Sequence, residues 1–397
     1  MIKNPYNPTG PADPRYYADR EELLSLFRNN VNAVTVTKGV TKPINLAVTG
    51  QWGMGKSSTL YKFKDILEKE TDGARIFSSY VSLTPSHCKS ADTFFACILE
   101  TVFRDYESTV PLPNKLIQFI KDESIRLNKW KLKRMGASLP EFERVEEDLN
   151  AVNFKNTLLQ FWIKLKESKF DMVVIMLDDI QYVLAQDNGE ILYDLRTDMQ
   201  SLSMKGALFT FVICTPESLF PHMRTVAEPF TRLFTRFELK PFDIDGTTEQ
   251  IQKPLDVEKI PLKLSRSVIK EIHDITGGHP YFISLAMKHF IDKIPEGTGS
   301  ANKFATFCPD IMDYFAEAKF NADFEKATDT EKEILLKIVT LDEPEFSPKE
   351  IGGRSKTTYV ERLVAKGLIT KIDRGKYTLY TQLFAEYLRM KAAGAAR

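Results

Sequence analysis

The residues with the clearest chemical signature form a glycine-rich stretch that ends in a lysine and a serine. The stretch comprises Gly50, Gln51, Trp52, Gly53, Met54, Gly55, Lys56 and Ser57. Its spacing is GxxxxGK[ST], the pattern of a loop that binds phosphate between a strand and a helix. Glycine lets such a loop turn so that its backbone N–H groups point at phosphate oxygens. We therefore predict that this stretch, together with Ser58, binds a nucleotide.

Two side chains in the stretch have the chemistry that the phosphate end of ATP requires. The Lys56 ammonium would reach the β- and γ-phosphates, and the Ser57 hydroxyl would be a ligand of Mg²⁺. A helix that begins near Lys56 would add the partial positive charge of its N-terminus. The predicted cofactors are therefore ATP and Mg²⁺, and Lys56 is counted among the catalytic residues.

A pair of carboxylates follows a second informative run. Residues 172–177 are all apolar, and Asp178 and Asp179 come directly after them. Ligands of open α/β sheets bind at the carboxyl ends of the strands. We therefore assign Asp178 to the metal ion and Asp179 to activation of the attacking water. Without the glycine-rich stretch, the same pair would be interpreted as an ordinary acidic strand end or helix cap.

Three further residues are candidates for contact with the γ-phosphate. Thr215 ends another apolar run, where its hydroxyl could sense the phosphate or the attacking water, although Thr-Pro is also a common turn start. Arg232 and Arg236 lie in the segment that follows. Either could be an arginine finger, acting within the chain or from a neighbouring subunit, or both could be surface arginines beside an edge strand.

The elements that must position these residues follow from the alternation of apolar runs and helical patterns. Strands are predicted at 44–49, 76–83, 172–177, 208–214 and 236–239. Helices are predicted at 20–29 and 56–69, with a long helical region at 90–171. Apolar strands that alternate with helices indicate an α/β fold with a mostly parallel sheet, here the core of a P-loop NTPase.

The pattern changes after about residue 254, where the predicted strands stop. Helices are expected over 262–295, with an interruption at 276–280. A capping box at Thr328 and Glu331 then opens a helix. It is followed by a short helix at 347–351, a helix at 356–366, a hairpin at 367–379 and a closing helix near 383–388. A helix-turn-helix followed by a hairpin is the order of elements in a winged helix.

This predicted winged helix is more basic than the chain as a whole. The chain has 54 Lys and Arg against 54 Asp and Glu, but from 349 to 391 ten basic minus four acidic residues leaves a surplus of six. The residues predicted to contact the phosphate backbone of double-stranded DNA are Arg354, Lys356, Arg362, Lys371, Arg374 and Lys376. Because winged helices also bind proteins, a protein partner is the alternative. A second basic stretch at 126–134 could be another DNA contact or a solvated helix face.

Several motifs occur along the chain in a recognisable order. They are Asn4 to Tyr6, Tyr17 to Glu21, Gly50 to Ser57, Leu177 to Asp179 and Gly277 to Pro280. Together with the winged helix, they resemble the archaeal-type ATPases of the AAA+/STAND division over nearly the whole chain. That group includes origin-recognition and loader ATPases as well as signal-transduction ATPases. The stretch from Gly50 to Ser58 is also similar to the P-loop of KAP NTPases, which usually carry membrane segments.

The resemblance implies roles for residues outside the phosphate loop. His279 and Pro280 would contact the nucleotide and report its state to the C-terminal domain, as in the STAND branch. They stand where AAA+ proteins have the sensor-two arginine. Arg20 would lie near the adenine pocket. The usual Gly-Arg-Glu of the family reads Asp-Arg-Glu at 19–21 here, so the backbone at Asp19 is expected to differ.

Composition bounds the class of protein. The four cysteines are far apart and form no CxxC pair, so neither disulfides nor zinc ribbons are expected. No apolar run approaches the roughly 20 residues that span a bilayer, and we expect a cytoplasmic protein without membrane contact. The predicted segments are an ATPase core at 1–255, a helical lid at 256–325, a winged helix at 326–391 and a flexible tail at 392–397.

The functional prediction is a slow ATPase that acts as a switch. Nucleotide state would be coupled to a winged helix that binds DNA. One alternative is a STAND-type regulatory or defence ATPase whose winged helix binds a protein. Another is a scaffold that binds nucleotide without turning it over. A homo-oligomer is compatible with each of these.

Overall fold

The chain folds as two compact units, which are described separately. The computed structural model describes residues 4–38, 40–71, 73–108, 153–186, 189–295, 300–301, 303–341, 343–353, 356–373 and 375–395. The sheet unit consists of Arg20–Gly50 and Thr59–Leu239. The helical unit consists of Met1–Asp19, Gln51–Ser58 and Lys240–Arg397. The glycine-rich loop therefore belongs to the helical unit, although the strand before it belongs to the sheet unit.

The sheet unit is organised by parallel strands. Within the described residues they are β1 (Asn45–Gly50), β2 (Ile76–Ser82), β3 (Met172–Asp178), β4 (Phe209–Thr215) and β5 (Phe234–Leu239). Their order is β2-β3-β4-β1-β5, and all neighbours are parallel. Strands β3 and β4 are buried along their whole length, as their continuous apolar sequences require. The predicted α/β fold with a parallel sheet is confirmed.

The register brings the polar ends of the strands to one edge of the sheet. Thr49 of β1 lies opposite Thr215 of β4, and Ser82 of β2 lies opposite Asp178 of β3. Since parallel strands all end on the same side, this edge is where an open α/β sheet binds its ligand.

Helices flank this sheet. Their bounds are α1 (Glu21–Val36), α2 (Lys56–Lys69), α3 (Ala91–Glu107), α4 (Phe154–Glu167), α5 (Gly189–Met204), α6 (Phe220–Val226) and α7 (Glu228–Thr231). A capping box between Ser90 and Thr93 begins α3, which satisfies N–H groups that the first turn cannot pair. Aromatic side chains dominate the core, and the rings of Phe77 and Tyr106 both meet Phe161 within 5.5 Å.

The helical unit is built from shorter elements. Its helices are α8 (Ile244–Val257), α9 (Arg266–Thr276), α10 (Pro280–Lys293), α11 (Phe304–Phe307), α12 (Ile311–Phe315), α13 (Asn321–Glu325), α14 (Asp329–Ile338), α15 (Thr357–Ala365) and α16 (Gln382–Ala395). A π-helical turn, Ala316–Phe320, joins α12 to α13. The interruption predicted at 276–280 is present, because Gly277 and Gly278 both have left-handed φ values of +60° and +70°.

Two small sheets complete this unit. The strands β6 (Lys263–Leu264) and β7 (Ser300–Ala301) are parallel. The strands β8 (Glu345–Phe346), β9 (Ile369–Asp373) and β10 (Lys376–Leu379) form an antiparallel sheet in the order β8-β10-β9. We call β9 and β10 the C-terminal hairpin. The short helix predicted at 347–351 is instead a set of turns, followed by two glycines with φ of +130° and +90°.

One apolar core runs through the helical unit from its first helices to its last. The ring of Phe320 lies 5.3 Å from that of Phe282 in α10 and 5.7 Å from that of Phe384 in α16. The N-terminal segment joins the same core, where Tyr6 is buried and its hydroxyl donates to the Ile251 carbonyl. Among the described helices, none combines the length and the apolar character needed to cross a bilayer.

Candidate nucleotide site

The glycine-rich loop has a backbone shape that depends on glycine. Strand β1 ends at Gly50 and α2 begins at Lys56, so the loop joins a strand to a helix as predicted. Gly53 and Gly55 have φ values of +77° and +92°, which side-chain-bearing residues rarely adopt. A turn that contains such left-handed residues can bring successive backbone N–H groups together in a concavity that binds an anion.

The two polar side chains at the end of the loop lie within hydrogen-bonding networks. The Lys56 ammonium donates to the carbonyl oxygen of Gln51 at 3.0 Å, so it is folded over the loop. The Ser58 hydroxyl accepts a hydrogen bond from the Ala12 N–H at 3.0 Å. The N-terminal segment thus contacts the loop directly. Ser57, the predicted metal ligand, is half-buried.

Gly53 is required by its surroundings as well as by its backbone. A Cβ atom at this position would lie 2.6 Å from Cε1 of His279 and 2.9 Å from Cβ of Tyr281. Both distances are far shorter than a van der Waals contact. At Gly55, by contrast, a Cβ would meet no atom of the described residues within 4 Å. The loop is therefore packed tightly against the start of α10 at one glycine and open at the other.

His279 is the most unusual side chain near the loop. It is 4% exposed, and neither ring nitrogen has a hydrogen-bond partner among the described residues. Burial is the main cause that lowers the pKa of His279 to about 4; the backbone of Trp52 and of His279 itself opposes it, and the charges of Lys56 and Lys319 contribute to the lowering. The ring is therefore neutral at pH 7. Pro280 begins α10, and its carbonyl accepts from Gln250 at 2.7 Å.

The loop makes further contacts that the sequence did not predict. The Trp52 ring meets the Tyr281 ring edge-on at 4.5 Å, and the Lys319 ammonium lies 3.8 Å from the Trp52 ring centre. The Gln51 amide lies 3.5 Å from the Thr370 hydroxyl, at the outer limit of a hydrogen bond. A tryptophan inside the glycine-rich loop was the one sequence signal for these contacts. Its partners could not be predicted, because they lie more than 200 residues away in the sequence.

In the sheet unit, Asp178 is held by hydrogen bonds at the end of β3. It is 2% exposed. Its Oδ2 accepts from the Tyr80 hydroxyl at 2.8 Å, and its Oδ1 accepts from the Asp179 N–H at 3.0 Å. Burial, followed by the Asp178 charge, raises the pKa of Tyr80 well above its ordinary value. Tyr80 therefore stays protonated and continues to donate to the carboxylate.

Asp179 differs from its neighbour in backbone and exposure. Its φ is +59°, a left-handed conformation that aspartate tolerates better than most residues. Its Oδ1 accepts from the Gln181 amide at 2.9 Å, and the residue is only half-buried. Both carboxylates therefore lie at the end of β3, as the sequence predicted.

Thr215 ends β4 at the same edge. It is fully buried, and its hydroxyl oxygen has no hydrogen-bond partner within the described part of the chain. Its neighbour in the sheet, Thr49, accepts from Nε of Arg236 at 3.2 Å. A buried hydroxyl without a partner is costly unless something else satisfies it.

The two candidate arginines are placed differently. Arg236 pairs with Glu217 and lies 5.2 Å from the Phe220 ring centre, and its side chain is still 35% exposed. Arg232 is 71% exposed and pairs with Glu228 one turn earlier at 2.6 Å. Both arginines are exposed, and Arg232 is the more exposed of the two.

The segment with the altered family motif keeps a left-handed backbone. Asp19 and Arg20 have φ values of +56° and +65°, and Arg20 directly precedes α1. Asp19 therefore adopts a backbone region that glycine favours and most other residues avoid. The Asp19 N–H donates to Glu249 at 2.8 Å, which helps to hold this conformation.

The residues predicted to contact DNA are scattered over α15 and the C-terminal hairpin. Lys356 and Arg362 flank the Tyr359 ring at 5.5 and 5.6 Å. The hairpin lysines have acidic neighbours, since Lys371 is 3.4 Å from Glu361 and Lys376 is 3.6 Å from Glu345. Arg354, Arg374 and the basic stretch at 126–134 lie outside the described residues.

Comparison by sequence identifies one family domain. Residues 25–203, somewhat less than half of the chain, match the sequence profile of the KAP family P-loop domain. This match agrees with the predicted similarity of the loop to KAP NTPases. No curated protein sequence matches the chain significantly.

Comparison by structure extends the likeness to nearly the full length. The Walker-type ATPase PABY2304 of Pyrococcus abyssi superposes with a TM-score of 0.59 at 14% identity, covering 94% of this chain and 96% of that one. The Aeropyrum pernix ORC2 protein in its ADP form also gives 0.59 at 14% identity, with 98% of each chain covered. Its ADPNP-ADP complexes give 0.55 at 12% identity, with 94% of each chain covered. At these identities the likeness establishes the fold, which is that of a P-loop NTPase.

Proposed function

We propose that the chain is an ATPase that acts as a switch, binding ATP and Mg²⁺ at the loop from Gly50 to Ser58. The observation that carries the proposal is the packing of this loop within the helical unit. Its left-handed glycines suit a loop that turns backbone N–H groups toward an anion, and its residues touch α10 and the C-terminal hairpin. A ligand that reshapes the loop therefore acts directly on the helical unit. The match to a P-loop domain and the fold both support nucleotide binding.

Residues of the loop, and separately residues of the sheet edge, have the side-chain chemistry that the predicted cofactors require. The Lys56 ammonium already binds a carbonyl oxygen, which a phosphate oxygen can replace. Ser57 and Asp178 would hold Mg²⁺, since hydroxyl and carboxylate oxygens are the donors that this ion prefers. When bound, the ion neutralises phosphate charge. Asp179 would orient the attacking water, and the unpartnered Thr215 hydroxyl would donate to the γ-phosphate or to that water.

The sensing role falls to His279 and Pro280. The ring of His279 is buried without a hydrogen-bond partner among the described residues, so its burial is uncompensated. A nucleotide that brought a hydrogen-bonding group to this ring would remove the penalty. Because α10 shares one core with the C-terminal elements, a shift at His279 would be transmitted to them. Arg20 is proposed to lie near the adenine, by resemblance to the AAA+/STAND division.

For the output of the switch, we favour double-stranded DNA bound by the predicted winged helix. Support comes from the basic surplus of this region and from the placement of Lys356 and Arg362 around one aromatic ring. One observation favours the alternative of a protein partner. Lys371 and Lys376, which should be the tip contacts, are near Glu361 and Glu345. A homo-oligomer, with Arg232 acting on a neighbouring subunit, and a cytoplasmic location complete the proposal.

Turnover is tested by the time course of phosphate release from ATP with Mg²⁺. A switch ATPase gives continued, slow release after any initial burst. Binding of ADPNP, a non-hydrolysable ATP analogue, with no phosphate release from ATP would leave a nucleotide-binding scaffold instead. No binding of either nucleotide would contradict the whole proposal.

The partner is tested by duplex DNA binding with and without ADPNP at two salt concentrations. We expect affinity that depends on nucleotide and falls steeply as salt rises, because Lys and Arg release counterions from DNA. Lys356→Ala with Arg362→Ala should weaken binding. The control is Lys253→Ala, a lysine on α8 that pairs with Glu249 within the same unit. Absent or salt-insensitive DNA binding would favour the protein partner.

A further inference from the structure

Three successive residues of the glycine-rich loop contact three different parts of the helical unit. Gln51 reaches Thr370 in the C-terminal hairpin. Trp52 meets Lys319 in the π-helical turn, and Gly53 packs against His279 at the start of α10. Of these three contacts, the one between Trp52 and Lys319 has no role in the switch proposed above. π-Helical turns are frequent at functional sites, and Lys319 belongs to one.

The Lys319 ammonium is positioned on the Trp52 ring from a mostly buried site. It lies 3.8 Å from the ring centre, while its side chain is 15% exposed. A cation over the face of tryptophan is the strongest arrangement of its kind, and it strengthens when water is excluded. Burial lowers the pKa of Lys319, and its hydrogen bond to Asp323 opposes this. The ammonium is thus held between the loop and a carboxylate.

Asp323 is the next residue in this chain of contacts. It is 2% exposed, and its Oδ1 accepts from Lys319 and from Lys326, each at 2.7 Å. Its Oδ2 accepts from the Tyr380 hydroxyl, also at 2.7 Å. Burial acts to raise the pKa of Asp323, but these three hydrogen bonds outweigh it and lower the pKa. The carboxylate stays charged and joins the π-helical turn to the C-terminal region.

Tyr380 connects this carboxylate to the C-terminal hairpin. It directly follows β10, and its N–H donates to the Leu368 carbonyl, next to the start of β9, at 3.2 Å. Its ring lies 5.1 Å from that of Phe384 in α16. A displacement of Tyr380 would therefore be felt in both strands of the hairpin, at the end opposite its turn, and in the closing helix.

We propose that Lys319 is a positioning residue that holds the phosphate loop through Trp52 and links it, through Asp323 and Tyr380, to the C-terminal hairpin. Each step is a direct contact of 3.8 Å or less. Lys319, Asp323 and Tyr380 are largely buried, and Trp52 is about half exposed. A loop that rearranges around phosphate moves Trp52, because the ring belongs to the loop. The buried ammonium then loses its aromatic partner, and Asp323 and Tyr380 must adjust with it.

The test uses hydrogen exchange of the full chain without nucleotide and compares two lysine variants. Lys319→Met and Lys326→Met each remove one ammonium that is 2.7 Å from Oδ1 of Asp323. Lys319 differs in lying over Trp52. We expect Lys319→Met to speed amide exchange by about fivefold at 51–55 and at 369–380. Lys326→Met should speed exchange only around 319–326.

Two further variants separate positioning from general destabilisation. Lys319→Arg keeps a cation over the ring and should restore slow exchange at both segments. Trp52→Leu should reproduce the effect of Lys319→Met at 369–380, although it changes the other partner. Equal exchange in Lys319→Met and Lys326→Met at both segments would overturn the proposal. So would failure of Lys319→Arg to restore either of them.

A second arm adds ADPNP with Mg²⁺, and it alone rests on the proposed nucleotide site. The analogue should protect 51–58 and 369–380 in the wild-type chain, but only 51–58 in Lys319→Met. Protection of both segments in Lys319→Met would overturn the link to the hairpin. If the analogue protects neither segment of the wild-type chain, the proposed nucleotide site is wrong, and the nucleotide-free comparison still decides the role of Lys319.

Discussion

Two buried polar side chains, Asp178 at the carboxyl edge of the sheet and His279 beside the glycine-rich loop, differ in their hydrogen bonding. At the sheet edge, Asp178 is 2% exposed, and both of its oxygens accept hydrogen bonds from its own unit. Beside the loop, His279 is 4% exposed, and its ring nitrogens have no partner among the described residues. The Asp178 carboxylate is therefore satisfied before any ligand arrives, whereas the His279 ring carries an unrelieved cost of burial. We infer that the carboxylate is held rigidly and that the loop region responds to its ligand.

The largest effect on activity is expected at the hydrogen-bonded carboxylate of Asp178. Asp178→Asn removes the charge but keeps the shape of the side chain. We expect steady-state phosphate release to fall at least about 100-fold, because the proposed metal ion loses its anionic ligand. Nucleotide affinity should change much less, as the loop is untouched.

The control for this variant lies at the other end of the same strand. Asp171 precedes β3 and accepts a hydrogen bond from the Arg75 N–H at 2.8 Å. Asp171→Asn should leave phosphate release within about twofold of the wild-type rate, since the half-buried asparagine side chain can still accept this hydrogen bond. Equal losses in the two variants would mean that Asp178 has only a structural role.

The tight packing beside the loop is tested by a pair of glycines. Gly55→Ala should destabilise the chain by about 1 kcal/mol, because alanine is strained at its left-handed φ. Gly53→Ala should cost about 2 kcal/mol more, since the added Cβ would overlap His279 and Tyr281. Urea unfolding of both variants measures the difference. Equal stability of the two would show that the contact with α10 is not formed in solution.

The buried histidine predicts a specific dependence of stability on pH. The pKa of His279 is about 4 in the folded chain against 6.5 for the free side chain. Between these values the unfolded chain binds a proton that the folded chain does not, so stability falls as pH drops. The expected loss from pH 7 to pH 5 is about 2 kcal/mol. His279→Asn should remove this part of the pH dependence, as measured by urea unfolding at both pH values.

Other groups also titrate in this range, so the difference between the wild-type chain and the variant is the informative quantity. An identical pH dependence in both would mean that His279 is solvated or paired in solution. That result would also remove the contrast between the two sites.

Strands were the part of the fold that could be predicted best. Those buried on both faces are continuous apolar runs, and β3 differs from its prediction by one residue at its end. Helix α1 runs to Val36, seven residues beyond its predicted end, because Val31 and Val34 continue its buried face. The helix predicted at 347–351 was wrong, since Pro348 and the two glycines that follow favour turns in so short a segment.

The candidate site was predicted in part, for a physical reason. Gly50 to Ser58 and the Asp178–Asp179 pair lie in local patterns that a sequence displays directly. Lys319, Asp323 and Tyr380 belong to helices and turns without any local signature of function. Their importance arises from contacts with a loop about 270 residues earlier, and such long-range contacts leave no periodic pattern in a single sequence.

The central claim is that the loop binds nucleotide through Lys56, and equilibrium binding of ADPNP with Mg²⁺ tests it most directly. The wild-type chain should bind the analogue, and Lys56→Ala should bind it at least about 100-fold more weakly, because the ammonium proposed to bind the phosphates is removed. Lys62→Ala, on the same helix, should bind like the wild-type chain. Unchanged affinity in Lys56→Ala would contradict the assignment of the loop as the nucleotide site.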